Sequence, residues 1–179
     1  MTPSSLDCPT RNCLVSARWA IVRGMNENPR LAVGGLAPQF CLPDQDEKLI
    51  CLKDLHGQAV ILYFYPKDMT PGCTTEACDF NDRLDRISPH ATVIGISPDT
   101  PESHRKFRNK YGLRFPLLSD PALETIKAYG AYGTKMNYGK IIQGIIRSTF
   151  LISPDGLIVQ AMYNVKATGH AERVLAQLI

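Results

Sequence analysis

Apolar residues run unbroken through "AVILYFY" (Ala59–Tyr65), and a short β-rich run of that kind predicts a central strand covered on both faces. "ATVIGISPD" from residue 91 reads as a second buried strand and "FPLLSDP" from residue 115 as a short third one. Between the first two, Phe80, Leu84 and Ile87 recur at helical spacing and predict a helix from Thr74 to about Ile87. "PESHRKFRNKYG" predicts a second helix, with Pro101 at its start and Gly112 near its end. "ALETIKAYG" predicts a third, stopped by glycine, and "HAERVLAQLI" closes the chain with an amphipathic one. "STFLISPDGLIVQAMYN" reads as a hairpin turning at Pro154-Asp155-Gly156. Upstream, "APQFCLPDQDEKLICLKDL" alternates on both sides of Pro43-Asp44-Gln45-Asp46 and predicts an N-terminal β-hairpin. Strands alternating with helices and ending in a hairpin predict an α/β sandwich, a mixed central sheet with helices on both faces.

Composition narrows the class. With 179 residues, 44% hydrophobic and 21% charged, the chain suits one soluble domain. A net charge of +3 from dispersed basic residues gives no reason to expect a nucleic-acid partner. The longest apolar run is far too short to span a bilayer, so no membrane partner is expected either. Six cysteines fall short of a disulfide scaffold and point to a reducing compartment, the cytoplasm, with one reactive pair. Cys41 and Cys51, one on each arm of the N-terminal hairpin, read as small apolar fillers. Buried patterning begins near Leu31, so residues 31–179 are expected to form the domain and residues 1–30 an extension. The first 24 residues hold three arginines and one acid. They suit an unstructured tail, text upstream of a start at Met25, or a transit peptide. Cys8 and Cys13 lie there and are assigned no chemistry.

Cys73 and Cys78 stand apart from these. The first central strand delivers the chain to the sheet edge, where α/β folds place their sites. Pro66 and Pro71 stiffen the loop, Gly72 lets it turn, and Cys73 falls in the first turn of the next helix. Unpaired N–H groups and the positive end of the helix dipole there stabilise an anion, so a thiol in that position is favoured as thiolate. Moving an ordinary thiol from a pKa of ~8.5 to ~6 takes roughly 3 kcal/mol. A helix terminus supplies at most ~2 kcal/mol, which calls for a second positive group. Arg147, a lone charge in "GIIRSTFLI", is the candidate, with a surface arginine on an edge strand as the alternative. Thr70 either turns its hydroxyl toward the same spot or serves as a turn or cap residue. Glu76 either caps the helix, orients an arginine, or is an exposed helical glutamate.

The pattern Pro66-x-x-x-Thr70-x-x-Cys73, then Glu76 and Cys78, with "YGKIIQGIIRSTFLI" far downstream, closely resembles the peroxiredoxins, and within them the PrxQ or bacterioferritin comigratory protein group. The resemblance runs from about Leu31 to Ile179. It implies a thioredoxin-like fold and reduction of hydrogen peroxide and organic hydroperoxides without a cofactor or metal. By the resemblance Cys73 is the peroxidatic cysteine, and Pro66, Thr70 and Arg147 shape the pocket and hold the peroxide oxygens. Cys78 matches the resolving cysteine of one branch, which implies a redox-active Cys73–Cys78 disulfide recycled by thioredoxin or a similar dithiol. That branch also implies a monomer. A thiol–disulfide oxidoreductase using the same pair is the main rival, but disulfide exchange has no need of an oxyanion clamp such as Thr70 and Arg147. Metal binding has less support, since His56, His90, His104 and His170 show no ligand spacing.

Overall fold

The run predicted as the central strand is the middle of the sheet. In the computed structural model, which describes residues 30–137 and 140–178, Ala59–Phe64 (β3) pairs parallel with Ala91–Ser97 (β4) and antiparallel with Ser148–Ile152 (β8). Leu117–Ser119 (β5) extends the sheet beyond β4, and Ile158–Tyr163 (β9) extends it beyond β8, giving the order β5-β4-β3-β8-β9. Successive residues of a strand face opposite sides. Accordingly Ile61 and Tyr63 join one buried cluster, while Val60, Leu62 and Phe64 join another across the sheet.

Helices Pro71–Asp82 (α1), Pro101–Tyr111 (α3) and His170–Leu175 (α5) supply Phe80, Phe107 and Val174 to the first cluster. The other face is covered by Glu124–Ala128 (α4) through Ile126, with Phe40, Leu52, Tyr129 and Ile145 beside it. This is the expected sandwich of a mixed sheet between helices. The helix predicted from Thr74 to Ile87 begins earlier and divides: α1 ends at Asp82, Arg83 leaves helical geometry, and a short helix Leu84–Ile87 (α2) follows. Arg83 ties this junction to the C-terminal helix by donating to Asp79 and Glu172.

Cys41–Pro43 (β1) and Leu49–Cys51 (β2) form the predicted N-terminal hairpin, but its turn lies further along. Pairing of Cys41 with Cys51 and Pro43 with Leu49 centres the turn on Asp46, the last residue of the turn-prone Pro43–Asp46, rather than between Asp44 and Gln45. The Asp44 carboxylate fixes it, accepting from the backbone N–H groups of Asp46 at 2.8 Å and Lys48 at 2.9 Å. That register places the two cysteines directly opposite each other, and they are joined by a disulfide. The expectation of two separate apolar fillers, and of a single cysteine pair in the domain, is therefore corrected.

A second hairpin, Tyr132–Asn137 (β6) with Lys140–Ile145 (β7), went unpredicted. It leads the chain to Arg147. The expected extension falls, apart from Arg30, outside the described residues.

Candidate active site

β3 ends at Phe64, and the Tyr65 N–H still donates across the sheet to Ile96 O at 3.1 Å. From Pro66 to Thr70 the chain leaves the sheet as a loop pinned by buried polar contacts. Asp68 accepts from Tyr65 Oη at 2.8 Å through Oδ1 and from Ser103 Oγ at 2.7 Å through Oδ2, which also lies 2.9 Å from His104 Nδ1. The backbone N–H of Asp68 donates to Asp99 at 2.7 Å. His104 Nε2 faces the carbonyl of Leu118 at 3.2 Å, and a carbonyl only accepts, so that nitrogen carries hydrogen. Met69 then takes a left-handed backbone, φ 57°, immediately before the helix. Such a conformation in a non-glycine residue persists where its surroundings over-determine it, and often at functional sites.

Thr70 is the N-cap of α1 and Pro71 its first helical residue. The Thr70 hydroxyl donates to Lys67 O at 2.9 Å, so its proton belongs to the turn rather than to the Cys73 sulfur. Cys73 sits in the first turn, 2% exposed. Arg147, between β7 and β8, reaches it with Nη2 donating to Sγ at 3.1 Å. The same guanidinium donates through Nη1 to Glu76 Oε2. Gly72 lies alongside it: a Cβ there would meet Arg147 Nη2 at 3.6 Å, an ordinary contact distance.

Arg147 is thus no surface arginine, and Glu76 is no exposed one: its side chain is fully buried. The signal for Glu76 was present in the sequence. Cys73, Glu76, Ala77 and Phe80 are the buried residues of α1, and they follow the i, i+3, i+4, i+7 spacing of a core-facing stripe. Burial pushes the Glu76 carboxyl up to about 7, against the pull of Arg147. Lys135 on β6 donates to Ile145 O at 2.8 Å and is lowered by burial and by Arg147 nearby. Sequence reasoning missed Asp68 and His104, whose partnership depends on α3 packing beside the loop.

Cys78 is half-buried on the same helix and, like Cys73, a free thiol. Burial, then the neighbouring Asp82, raises its pKa. Pro66 is half-buried at the start of the loop.

The family model of the AhpC/TSA family matches residues 33–161. The chain belongs to that family. It is 53% identical over 155 residues to a Mycobacterium tuberculosis protein named as a peroxiredoxin, a match covering 86% of this chain and 99% of the relative. It is 44% identical over 149 residues to peroxiredoxin Bcp of Escherichia coli, covering 83% and 95%. A structure of the Xanthomonas campestris bacterioferritin comigratory protein, determined in work on alkyl peroxide reduction, superposes with a TM-score of 0.73 at 43% identity, covering 78% and 89%. As a peroxiredoxin the chain is a thiol-dependent peroxidase with a thioredoxin-type fold.

Proposed function

We propose that Cys73 is the peroxidatic cysteine and Cys78 its resolving partner, reducing hydrogen peroxide and organic hydroperoxides at the expense of thioredoxin or a similar dithiol. The observation that carries this reading is the Arg147 donor at 3.1 Å from Cys73 Sγ in the first turn of α1. The Cys73 thiolate attacks one peroxide oxygen and the O–O bond breaks. The departing oxygen takes the electron pair and a proton and leaves as water or alcohol, and the sulfur becomes a sulfenic acid. Negative charge grows on oxygen in that step, and Arg147, already oriented by Glu76, offers fixed donors to it without reorganising. Pro66 and Thr70 are assigned to the wall of the same pocket; Thr70 keeps its hydroxyl oxygen as an acceptor while its proton is held by Lys67 O.

Resolution needs movement. Residues five apart on an intact helix are separated by about 7.5 Å along the axis, and a disulfide rarely tolerates Cα atoms more than about 7 Å apart. The turn from Cys73 to Cys78 therefore unwinds, Cys78 attacks the sulfenic sulfur, and water leaves. The external dithiol then reduces the disulfide by exchange. We assign the chain to the cytoplasm as a monomer acting without a nucleic-acid or membrane partner; among the described residues no helix is long and apolar enough to cross a membrane.

The test is steady-state peroxide reduction driven by thioredoxin. Cys73→Ser should abolish it, and Cys78→Ser should keep one rapid oxidation of Cys73 but lose recycling through the intramolecular disulfide. Full activity in the Cys73 variant would overturn the assignment.

A further inference from the structure

The disulfide between Cys41 and Cys51 belongs to no step of that cycle. Its chain neighbours Phe40 and Leu52 are buried with Val60, Leu62 and Phe64, whereas Cys73 is buried with Ile61, Tyr63 and Tyr65. The central sheet therefore separates the two cysteine pairs, and neither sulfur of the hairpin is placed to receive a sulfenic acid formed at Cys73.

Three features distinguish this bond from an inert staple. First, it is asymmetric in access: Cys41 is exposed, whereas Cys51 is 6% exposed. Cys41 is therefore the readier point of attack for an external thiolate, with Cys51 as the leaving group. Second, the hairpin does not depend on the bond for its register. On one side of it Leu52 N–H donates to Phe40 O at 3.1 Å, and on the other Asp44 N–H donates to Lys48 O at 2.9 Å. Third, the turn is anchored to the body of the domain. Gln45 accepts from Leu117 N–H at 2.9 Å through its side chain and from Arg105 Nε at 3.0 Å through its carbonyl, and Asp46 pairs with Arg108 at 2.6 Å. Once reduced, the two thiols remain opposite each other on strands held in place, with Cα atoms 4.0 Å apart in the bonded form. Opening and closing the bond requires none of the unwinding that the Cys73–Cys78 pair demands.

We propose that Cys41 and Cys51 are a second redox-active dithiol–disulfide couple, entered through Cys41 and independent of peroxide turnover. In the reductive direction a thiolate of a thioredoxin-type dithiol bonds to Cys41 Sγ, the protein S–S bond breaks, and Cys51 leaves as a thiolate that takes a proton from solvent. The second thiolate of the reductant attacks its own bonded sulfur and releases Cys41. One dithiol is oxidised and one protein disulfide reduced. In the oxidative direction a low-molecular-weight disulfide is reduced to two thiols as the protein bond re-forms. The chain then exchanges electrons at two separate places, and this conclusion does not rest on the role given to Cys73.

The experiment uses the full chain with Cys8, Cys13, Cys73 and Cys78 replaced by Ser, thioredoxin, thioredoxin reductase and NADPH. About one NADPH per chain should be consumed in the native state, and oxidised glutathione should restore that capacity. No consumption unless denaturant is added would make the bond a structural staple and overturn the proposal. Should that variant not fold, alkylation of the natural chain after native reduction, read by mass on the peptides carrying Cys41 and Cys51, decides the same question: both labelled supports it, neither labelled sinks it. Entry is tested by trapping with a thioredoxin lacking its resolving cysteine. With the Cys41–Cys51 bond intact at the start and free thiols alkylated after mixing, the trapped mixed disulfide should map by mass to Cys41 at least tenfold more than to Cys51, and equal occupancy would refute attack at Cys41. Finally, the Cys41→Ser, Cys51→Ser double variant should keep kcat/KM for peroxide within twofold; a tenfold loss would place the pair inside the peroxide cycle and overturn its independence.

Discussion

Oxidation of Cys73 and Cys78 to a disulfide should make this protein less stable, although a cross-link ordinarily stabilises. Closing so short a ring restrains the unfolded chain by only about 2 kcal/mol on the loop-entropy estimate. Against that stands the turn of α1 that has to open. Roughly four helical hydrogen bonds are lost there, at ~0.5–1.5 kcal/mol each. Glu76 and Ala77, both buried against the sheet, leave their places with it. Withdrawing Glu76 also strips Arg147 of its buried carboxylate, and breaking a pair of this kind costs ~3–5 kcal/mol when the remaining partner stays buried. Phe80 stacks on Tyr63 with ring centroids 5.1 Å apart and lies just below the opened turn. If it is also drawn out, ~1.5–3 kcal/mol more is lost.

Before Phe80 is counted the losses exceed the gain by roughly 3–9 kcal/mol, and in a domain of this size each kcal/mol moves Tm by roughly 2–4 °C. The oxidised form should therefore melt at least about 6 °C below the reduced one. The comparison belongs in the Cys41→Ser, Cys51→Ser background, so that the hairpin bond does not change state with the reductant. Calorimetry gives the shift, and amide hydrogen exchange should quicken across residues 70–82 in the oxidised form alone. An oxidised form that melts higher, with those amides still protected, would refute helix opening as the route by which the two sulfurs meet.

Arg147→Ala should slow the peroxide step by one to three powers of ten, roughly 1.4–4 kcal/mol of transition-state stabilisation; rapid-mixing kinetics of Cys73 oxidation measures it, and an unchanged rate constant would remove Arg147 from the chemistry. The pH dependence of stability should expose two opposed groups. Glu76 has its folded pKa raised to about 7 by burial, so its contribution is complete below its unfolded value and is lost as pH rises toward 7, about 3 kcal/mol in all. His170 is lowered to about 4, first by burial, so its contribution is present above its unfolded value and lost as pH falls toward 4. Urea unfolding from pH 4.5 to 6.5 should be nearly flat in the natural chain and rise with pH in Glu76→Gln; a flat profile in that variant would contradict the assignment. Gly95→Ala should destabilise by ~1–3 kcal/mol through overpacking, because a Cβ there would lie 2.8 Å from the Tyr63 ring and 2.9 Å from Leu117; an unchanged denaturation midpoint would show that this contact gives way. Beginning the chain at Met25 should leave folding and peroxidase activity intact, since buried patterning starts near Leu31; a large fall in Tm would show that the first residues are packed.

The elements that carry the sheet were readable because their patterns are local. A continuous apolar run announces β3, and Pro101 with Gly112 brackets α3 within a residue or two. The left-handed backbone at Gly112, φ 63°, is the reason a glycine stands there. The β6–β7 hairpin escaped because it is a two-stranded ribbon outside the main sheet, joined to the core through Tyr132 and Ile145. Arg147 could be singled out, since a lone charge in apolar text needs a partner, but which partner it has depends on a contact spanning 74 positions of sequence. Asp68 and His104 were out of reach for the same reason: nothing local in either segment says that α3 will lie against the loop.

The hairpin cysteines show how small a misreading separates two chemistries. Both were assigned to the correct arms, yet the turn was centred too early because Pro43 and Asp44 are strong turn formers in sequence. In the structure Asp44 does form the turn, but through its side chain and from the first position, accepting from residues two and four ahead. The positive φ is then taken by Glu47, φ 64°. Moving the turn centre to Asp46 slides one strand past the other and brings Cys51 opposite Cys41. Side chains in a strand alternate between faces, so a register error changes which residues meet as well as how far apart they are. With the earlier turn the two cysteines have separate neighbours and only packing to contribute; with the observed one they form a bond, and its exposed sulfur is open to attack. The turn residue that sets the register is therefore as much a determinant of redox behaviour here as the cysteines, and replacing Asp44 by Ala should loosen that register and lower the fraction of disulfide recovered after reduction and reoxidation. A recovery equal to that of the natural chain would show that Phe40, Leu52 and the contacts of Gln45 hold the strands without it.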